Sequence, residues 1–519
     1  MTPNDGPTSE IPSAFSPEKR KRKLARRLVL ALALAAFAVV GYGMLSRASR
    51  SSGRSRTSSA AAVEDPATLV PLTLASPTPD ADEIFGTRIM RFVIELNRAA
   101  KEGHANDAEL ARSEAALSAD ATRTALGERA GAALQAVVVA AKEAIHARAD
   151  DEPSVTVLDV AVAHLDNALI AGKLPYFVDA SVVRSRDRTR RLVLLYEFTI
   201  AGSSLYAGDA ARVRTVRVRR ADHLNWSQSV LGFVNVNRAQ AVVLLDQVDE
   251  QLARHVLPAL ADSAPMPLVA GKTGNVLPQS AVWNAMGERA GVDARAELGD
   301  LDDVGPAAAR ELGEALRARR DLATPYGVET DGLAAHDDGE AQRAIQERLD
   351  RPDVARAYAA LRDAFAASVE RHEAQHRLDA LHVLRMPAQV EQLVRGDSPA
   401  VEDIRDAVKN ELSAYLAQIA RDDRTPRTTF TLLVRFLVNP RTRGSTESFV
   451  AVIATEEIAK ELGIAGASPL LARSRLDEAR LIEAHRSVTA VPAAALTAAA
   501  RKVWARLFGR ELATLTLLR

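Results

Sequence analysis

The sequence predicts an α+β protein: an N-terminal membrane anchor, a mixed α/β region, and then a mainly helical half. Three observations carry this. A charge-free run, Leu28 to Ser46, follows a basic stretch. Runs rich in β-branched residues cluster between Tyr176 and Arg219. From Val354 to Met386 the chain then continues at helical spacing with no Gly or Pro until Pro387.

Composition sets the bounds. At 519 residues the chain is long enough for more than one core. Lys+Arg 67 balances Asp+Glu 67, which argues against nucleic acid as a partner. The absence of cysteine excludes disulfides, thiol catalysis and Cys-ligated zinc. Abundant alanine with only 4% aromatic residues favours helices and suits a high-GC bacterial source.

Residues 1–27 form a cytoplasmic tail ending in seven basic residues, Lys19, Arg20, Lys21, Arg22, Lys23, Arg26 and Arg27. Leu28 to Ser46 is 19 residues without a charge, about 28 Å of helix and enough for a hydrocarbon core. The basic flank keeps the N-terminus inside, so 28–46 reads as a single uncleaved span in a bacterial cytoplasmic membrane, with the remainder outside. The competing reading, a cleaved secretory signal, fits less well, because the run is long and its exit is basic. Residues 47–81, rich in Ser, Ala, Pro and Arg, read as a flexible tether.

A mixed α/β domain is expected over 82–260. Ile84, Phe85, Ile89, Phe92, Val93 and Leu96 recur at helical spacing, and a longer Ala-rich helix runs from about Ala121 to Arg148. Strands are expected at Tyr176-Phe177-Val178, Leu192–Ile200 and Arg212–Arg219, the last two joined by a hairpin loop from Ala201 to Asp209. The run Arg184, Arg186, Arg188, Arg190 and Arg191 reads as a solvated turn, with phosphate or lipid headgroups as the alternative. Ala239 to Leu257 is expected to be helical, and His223 and His255 are structural or surface residues. Residues 261–350, punctuated by Pro265, Pro267, Gly271, Gly274 and Pro278, read as a polar, loop-rich insert.

The helical region 351–519 carries the chemistry. His372-Glu373-Ala374-Gln375-His376 is an H-E-x-x-H pattern inside a helix. Four residues are little more than one turn, so both imidazoles lie on one face, spaced to grip one Zn²⁺. Glu373 stands beside them as a proton carrier rather than a ligand. A catalytic zinc takes a third protein ligand. Asn410-Glu411-Leu412-Ser413-Ala414-Tyr415, on the next predicted helix from Pro399 to Ala420, offers Glu411. Asp379, on the same face as the two histidines, is the rival, or else accepts a ligand histidine's other N–H. Tyr415, one turn beyond Glu411, and His485, late in the chain, are candidates to stabilise an oxyanion.

The two helices, about 65 residues, resemble the gluzincin metallopeptidases, whose H-E-x-x-H helix is completed by a glutamate from a following helix. The resemblance implies His372, His376 and Glu411 as zinc ligands and Glu373 as general base and acid. It departs from the thermolysin-like pattern in having Tyr415 where an aspartate is expected. The implied activity is membrane-anchored, zinc-dependent hydrolysis of a peptide or protein substrate by a zinc-activated water. The alternative is an inactive membrane-tethered scaffold or interaction protein.

Overall fold

The computed structural model describes residues 69–518, apart from 104–106, 148–151, 185–190, 209–210, 222–223, 226–229, 236, 270–280, 300, 302–303, 323, 326–338, 397, 440–441, 465–469 and 473–474. The basic tail, the expected span at 28–46, most of the tether and the centre of the arginine run therefore lie outside the described residues.

The described chain is mixed, mainly helical with one six-stranded sheet and two minor two-stranded pairings. It opens with α1 (Pro79–Glu83), a π-helical turn (Ile84–Arg88) and α2 (Ile89–Glu102), then α3 (Ala108–Ser118), α4 (Asp120–Leu126), α5 (Glu128–His146) and α6 (Glu152–Ala171). Gly127, at φ +79°, separates α4 from α5 and divides what the sequence suggested as one long helix. Helix α6 is long and apolar enough to cross a membrane by length and composition. In this fold Leu158, Val162, Leu165 and Leu169 instead enter a core shared with α2, α5 and the sheet, and its buried Asp166 accepts the Val178 N–H at 2.8 Å.

The sheet follows: β1 (Tyr176–Arg184), β2 (Arg191–Ala207), β3 (Arg212–Arg220), β4 (Gly232–Val234), β5 (Gln240–Leu244) and, at the C-terminus, β6 (Thr516–Leu518). The strand order is β1-β2-β3-β5-β4, with β6 paired to the end of β2. All pairings are antiparallel except β3 with β5. Two expectations are corrected here. Residues 201–207 continue β2 past an irregularity at Ile200/Gly202 instead of forming a loop. Ala239–Leu257 begins as strand β5 and becomes helical only at Leu245. The run Gln240-Ala241-Val242-Val243-Leu244 is buried throughout, and an apolar run buried on both faces shows no two-residue alternation to mark it as a strand.

Helices then dominate: α7 (Leu245–Gln251), a π-helical turn (Leu252–Val256), α8 (Leu257–Asp262), α9 (Ala281–Leu298), α10 (Pro306–Leu322), α11 (Gly339–Leu349), α12 (Pro352–Asp379), α13 (Ala388–Leu393), α14 (Pro399–Arg421), α15 (Pro426–Val438), α16 (Thr446–Glu461), α17 (Glu478–Ala490) and α18 (Ala493–Phe508). The expected loop-rich insert thus holds three helices, α9 to α11. One apolar cluster runs from Val243 in β5 to Leu512 and includes Trp283, Leu312, Leu361, Leu412 and Trp504. The insert and the zinc-motif helices are therefore packed into a common core. Pro265 and Pro267 lie between α8 and α9, and Gly271, Gly274 and Pro278 lie outside the described residues.

Two buried polar clusters fix α12. Asp422, just past α14, accepts from Ser368 of α12 at 3.0 Å, from Thr429 of α15 at 2.8 Å and from the Thr425 N–H at 2.8 Å. One carboxylate thereby fixes the turn that leads into α15 and ties three helices together. On its sheet side α12 presents Glu370, fully buried, to Ser204, Tyr206, Thr215 and Arg217 of β2 and β3.

Candidate metal centre

Helix α12 begins with Pro352 at its first positions, where proline's missing N–H costs nothing, and Asp353 complements the helix dipole. The helix is buried on more than one face because the sheet lies on one side and α14 on another. Helix α14 likewise starts at a proline, Pro399, and runs uninterrupted past Glu411.

This packing brings three donor groups together. His372 Nε2 and His376 Nε2 stand 3.1 Å apart. Glu411 places one carboxylate oxygen 3.3 Å from His372 Nε2 and the other 3.4 Å from His376 Nε2. Donors held about 2.0–2.1 Å from a tetrahedral zinc stand roughly 3.3–3.4 Å apart, close to these separations of 3.1 to 3.4 Å, in which each imidazole faces a different oxygen of Glu411. Among the described residues this is the group of His and carboxylate side chains able to hold a metal. The donor set, two imidazoles and a carboxylate, suits zinc and leaves a fourth position open.

The site's electrostatics follow from that convergence. Burial alone would lower His376, but Glu411, with Glu373 and Asp379, outweighs it and pushes the imidazole up to about 9. Burial raises Glu411, while His376 and His372 lower it further, so its carboxyl ends well below the usual range. A metal ion bound there would take the place of a proton that this pairing of carboxylate and imidazole otherwise favours.

Glu373 is nearly enclosed, and burial raises its carboxyl, with Glu411 adding to the effect and both imidazoles opposing it. It sits against Gly232 of edge strand β4: a Cβ there would stand 2.7 Å from Glu373 Cγ and Oε1. Tyr415 packs edge-on against His372, ring centroids 4.5 Å apart, and burial followed by Glu411 and Glu447 keeps its hydroxyl well above its ordinary range.

Asp379 is not part of the triangle. It accepts from Gln375 at 2.6 Å and is close enough to His376 for their charges to couple. His485 lies apart from the site's contacts. It is completely buried, its Nε2 bonded to Thr431 at 2.8 Å and its ring stacked on Phe430. A side chain with no exposure in that core cannot meet a substrate oxygen, so the oxyanion role suggested for it is not supported.

Two residues near the centre escaped the sequence reading. Arg435 of α15 is electrostatically coupled to Tyr415, and Glu447, in the first turn of α16, to Glu411 and His372. Arg435 left one trace, as the lone charge within the apolar run Phe430–Val438. Glu447 left none. Comparison with protein-family models, curated proteins and solved structures finds no match to this chain.

Proposed function

We propose that this chain is a zinc-dependent metallopeptidase, with His372, His376 and Glu411 as the metal ligands and Glu373 as the proton carrier. The observation that carries the reading is the triangle of His372, His376 and Glu411, set next to a buried Glu373 that is not part of it. Zinc, when bound there, supplies Lewis acidity toward a carbonyl oxygen and lowers the pKa of water.

The protein's own residues do the rest. Glu373, raised by burial, accepts a proton from the attacking water and returns it to the departing amide nitrogen. Tyr415 remains protonated and so can donate a hydrogen bond to the oxygen that gains charge. Strand β4 is the edge of the sheet, so one side of its backbone has no strand partner among the described residues. An extended peptide laid along that edge would pass directly by Glu373, and this favours a peptide substrate.

The single span at residues 28–46, with 47–519 outside the cytoplasm, is part of the same proposal, and reporter fusions beyond residue 60 test it. A reporter that works only in the cytoplasm must be silent there. The enzymatic reading is tested by Glu373→Gln, which should keep zinc while turnover of peptides falls about 10²-fold or more. Near-parental turnover in that variant would overturn the assignment.

A further inference from the structure

We propose that Arg435 is an anchor for a carboxylate on the substrate and that His255 is the positioning residue that holds it, an inference that rests on the peptidase reading above. Arg435 reaches from α15 with its Nε donating to the Leu432 carbonyl of its own helix at 3.1 Å. Its Nη1 donates to His255 Nε2 at 2.9 Å. The tautomer of His255 is set by its other bond. Nδ1 faces the Pro267 carbonyl, which only accepts, so Nδ1 carries the hydrogen and Nε2 offers a lone pair to the guanidinium. Burial, with Arg435 next, keeps this imidazole neutral, down to about 3. His255 therefore orients the cation without neutralising it.

The guanidinium itself lacks its usual companion. Arg217, Arg219, Arg238 and Arg319, comparably enclosed, each meet a carboxylate. Among the described residues no carboxylate oxygen lies within 4.0 Å of Arg435. A half-buried cation without a paired anion is costly to maintain, and this one is electrostatically coupled to Tyr415 and Glu447 of the candidate centre. The planar fork of a guanidinium matches a carboxylate with two parallel hydrogen bonds. That carboxylate can be the C-terminus of a peptide or an Asp or Glu side chain.

The test uses the full chain in detergent, zinc content measured, in the Glu373→Gln background so that binding is read without cleavage. Three mixed-sequence decapeptide libraries are the probes: free acids without Asp or Glu, the same peptides as C-terminal amides, and amides carrying one Glu. Either the first or the third should be retained in equilibrium dialysis about tenfold over the second, and which one wins names the source of the carboxylate. Arg435→Met should remove the excess, and Arg435→Lys should keep part of it. His255→Leu should weaken the excess with zinc content unchanged, and His255→Gln, which keeps an acceptor, should restore it. Equal retention of all three libraries, or an excess that survives Arg435→Met, overturns the anchor. Cleavage by the parent separates the two readings: hydrolysis without carboxylate preference removes the anchor alone. Preference with bound zinc and no hydrolysis removes the peptidase reading while the anchor stands. Absence of zinc, retention and cleavage together removes both.

Discussion

Gly232 of the edge strand and Glu373 of the zinc-motif helix leave no room between them for a methyl group. A Cβ on Gly232 would meet the Val242 carbonyl oxygen at 2.4 Å and Glu373 Cγ and Oε1 at 2.7 Å. The first neighbour is backbone and cannot swing away. The second is the carboxylate assigned to move the proton. Gly232→Ala is therefore expected to destabilise by about 1–3 kcal/mol, as overpacking does, and to displace Glu373. Zinc content should stay near parental while peptide turnover drops. Unchanged kcat and an unchanged unfolding midpoint would show that the contact does not constrain the base.

The ligand set is separable by metal analysis. Glu411 supplies both of its oxygens to the triangle, whereas Asp379 bonds Gln375 and acts on His376 only through space. Glu411→Ala should nearly empty the site. Asp379→Ala should weaken zinc affinity by roughly 10–100-fold, as loss of an outer carboxylate does. Zinc content measured on equally folded samples decides between them. A full site in Glu411→Ala with an empty one in Asp379→Ala would reverse the assignment.

The contrast between Glu411 and His485 shows what a sequence reveals about such a site. His372, His376 and Glu373 share one helix, so their relation follows from 3.6 residues per turn. Glu411 was within reach because the next helix and its connection could be read from periodicity. Chain order alone points to His485, and chain order does not say which face of α17 turns inward. Arg435 and His255 come together across 180 residues, through the packing of α15 against the π-helical turn that carries His255. No local pattern encodes that contact. The strand at Arg212–Arg220 is legible because Val213, Val216 and Val218 are set among charged residues, whereas β5 is buried on both faces and shows no alternation.

The buried histidines predict acid sensitivity. Burial, with Arg289 next, lowers His485 from 6.5 to about 3. Its folded value lies below its unfolded one, so its contribution is fully present above pH 6.5. It is lost as pH falls toward 3, because the unfolded chain then binds a proton that the folded chain refuses. The slope is about 1.4 kcal/mol per pH unit for one such group, or about 2 kcal/mol between pH 6.5 and 5. Urea midpoints at pH 7 and pH 5 read this directly. His485→Gln, which can still bond Thr431, should flatten the difference by about that amount. An equal pH dependence in parent and variant would show that His485 is not held neutral.

The last prediction concerns what holds the zinc-motif helix against the sheet. Glu370 lies two residues before His372 and is fully buried. It accepts from Tyr206 at 2.7 Å, Arg217 Nε at 2.9 Å, Thr215 at 3.1 Å and Ser204 at 3.2 Å. Four donors from two strands converge on one carboxylate, and Arg217, itself mostly covered, is also tied to Asp363 of the same helix at 3.0 Å. Removing the carboxylate strands these donors in the interior. Glu370→Ala should therefore cost roughly 3–5 kcal/mol and loosen α12, so that zinc affinity falls even though Glu370 touches no donor of the triangle. The asymmetry of buried ion pairs gives the sharper measurement. Replacing both partners with apolar groups of similar size is often nearly neutral, since neither charge is then left unpaired. Arg217→Met/Glu370→Met should accordingly be more stable than Glu370→Met alone, with part of the zinc affinity recovered. A double variant as unstable as the sum of its single changes would show that Glu370 and Arg217 do not act as a pair.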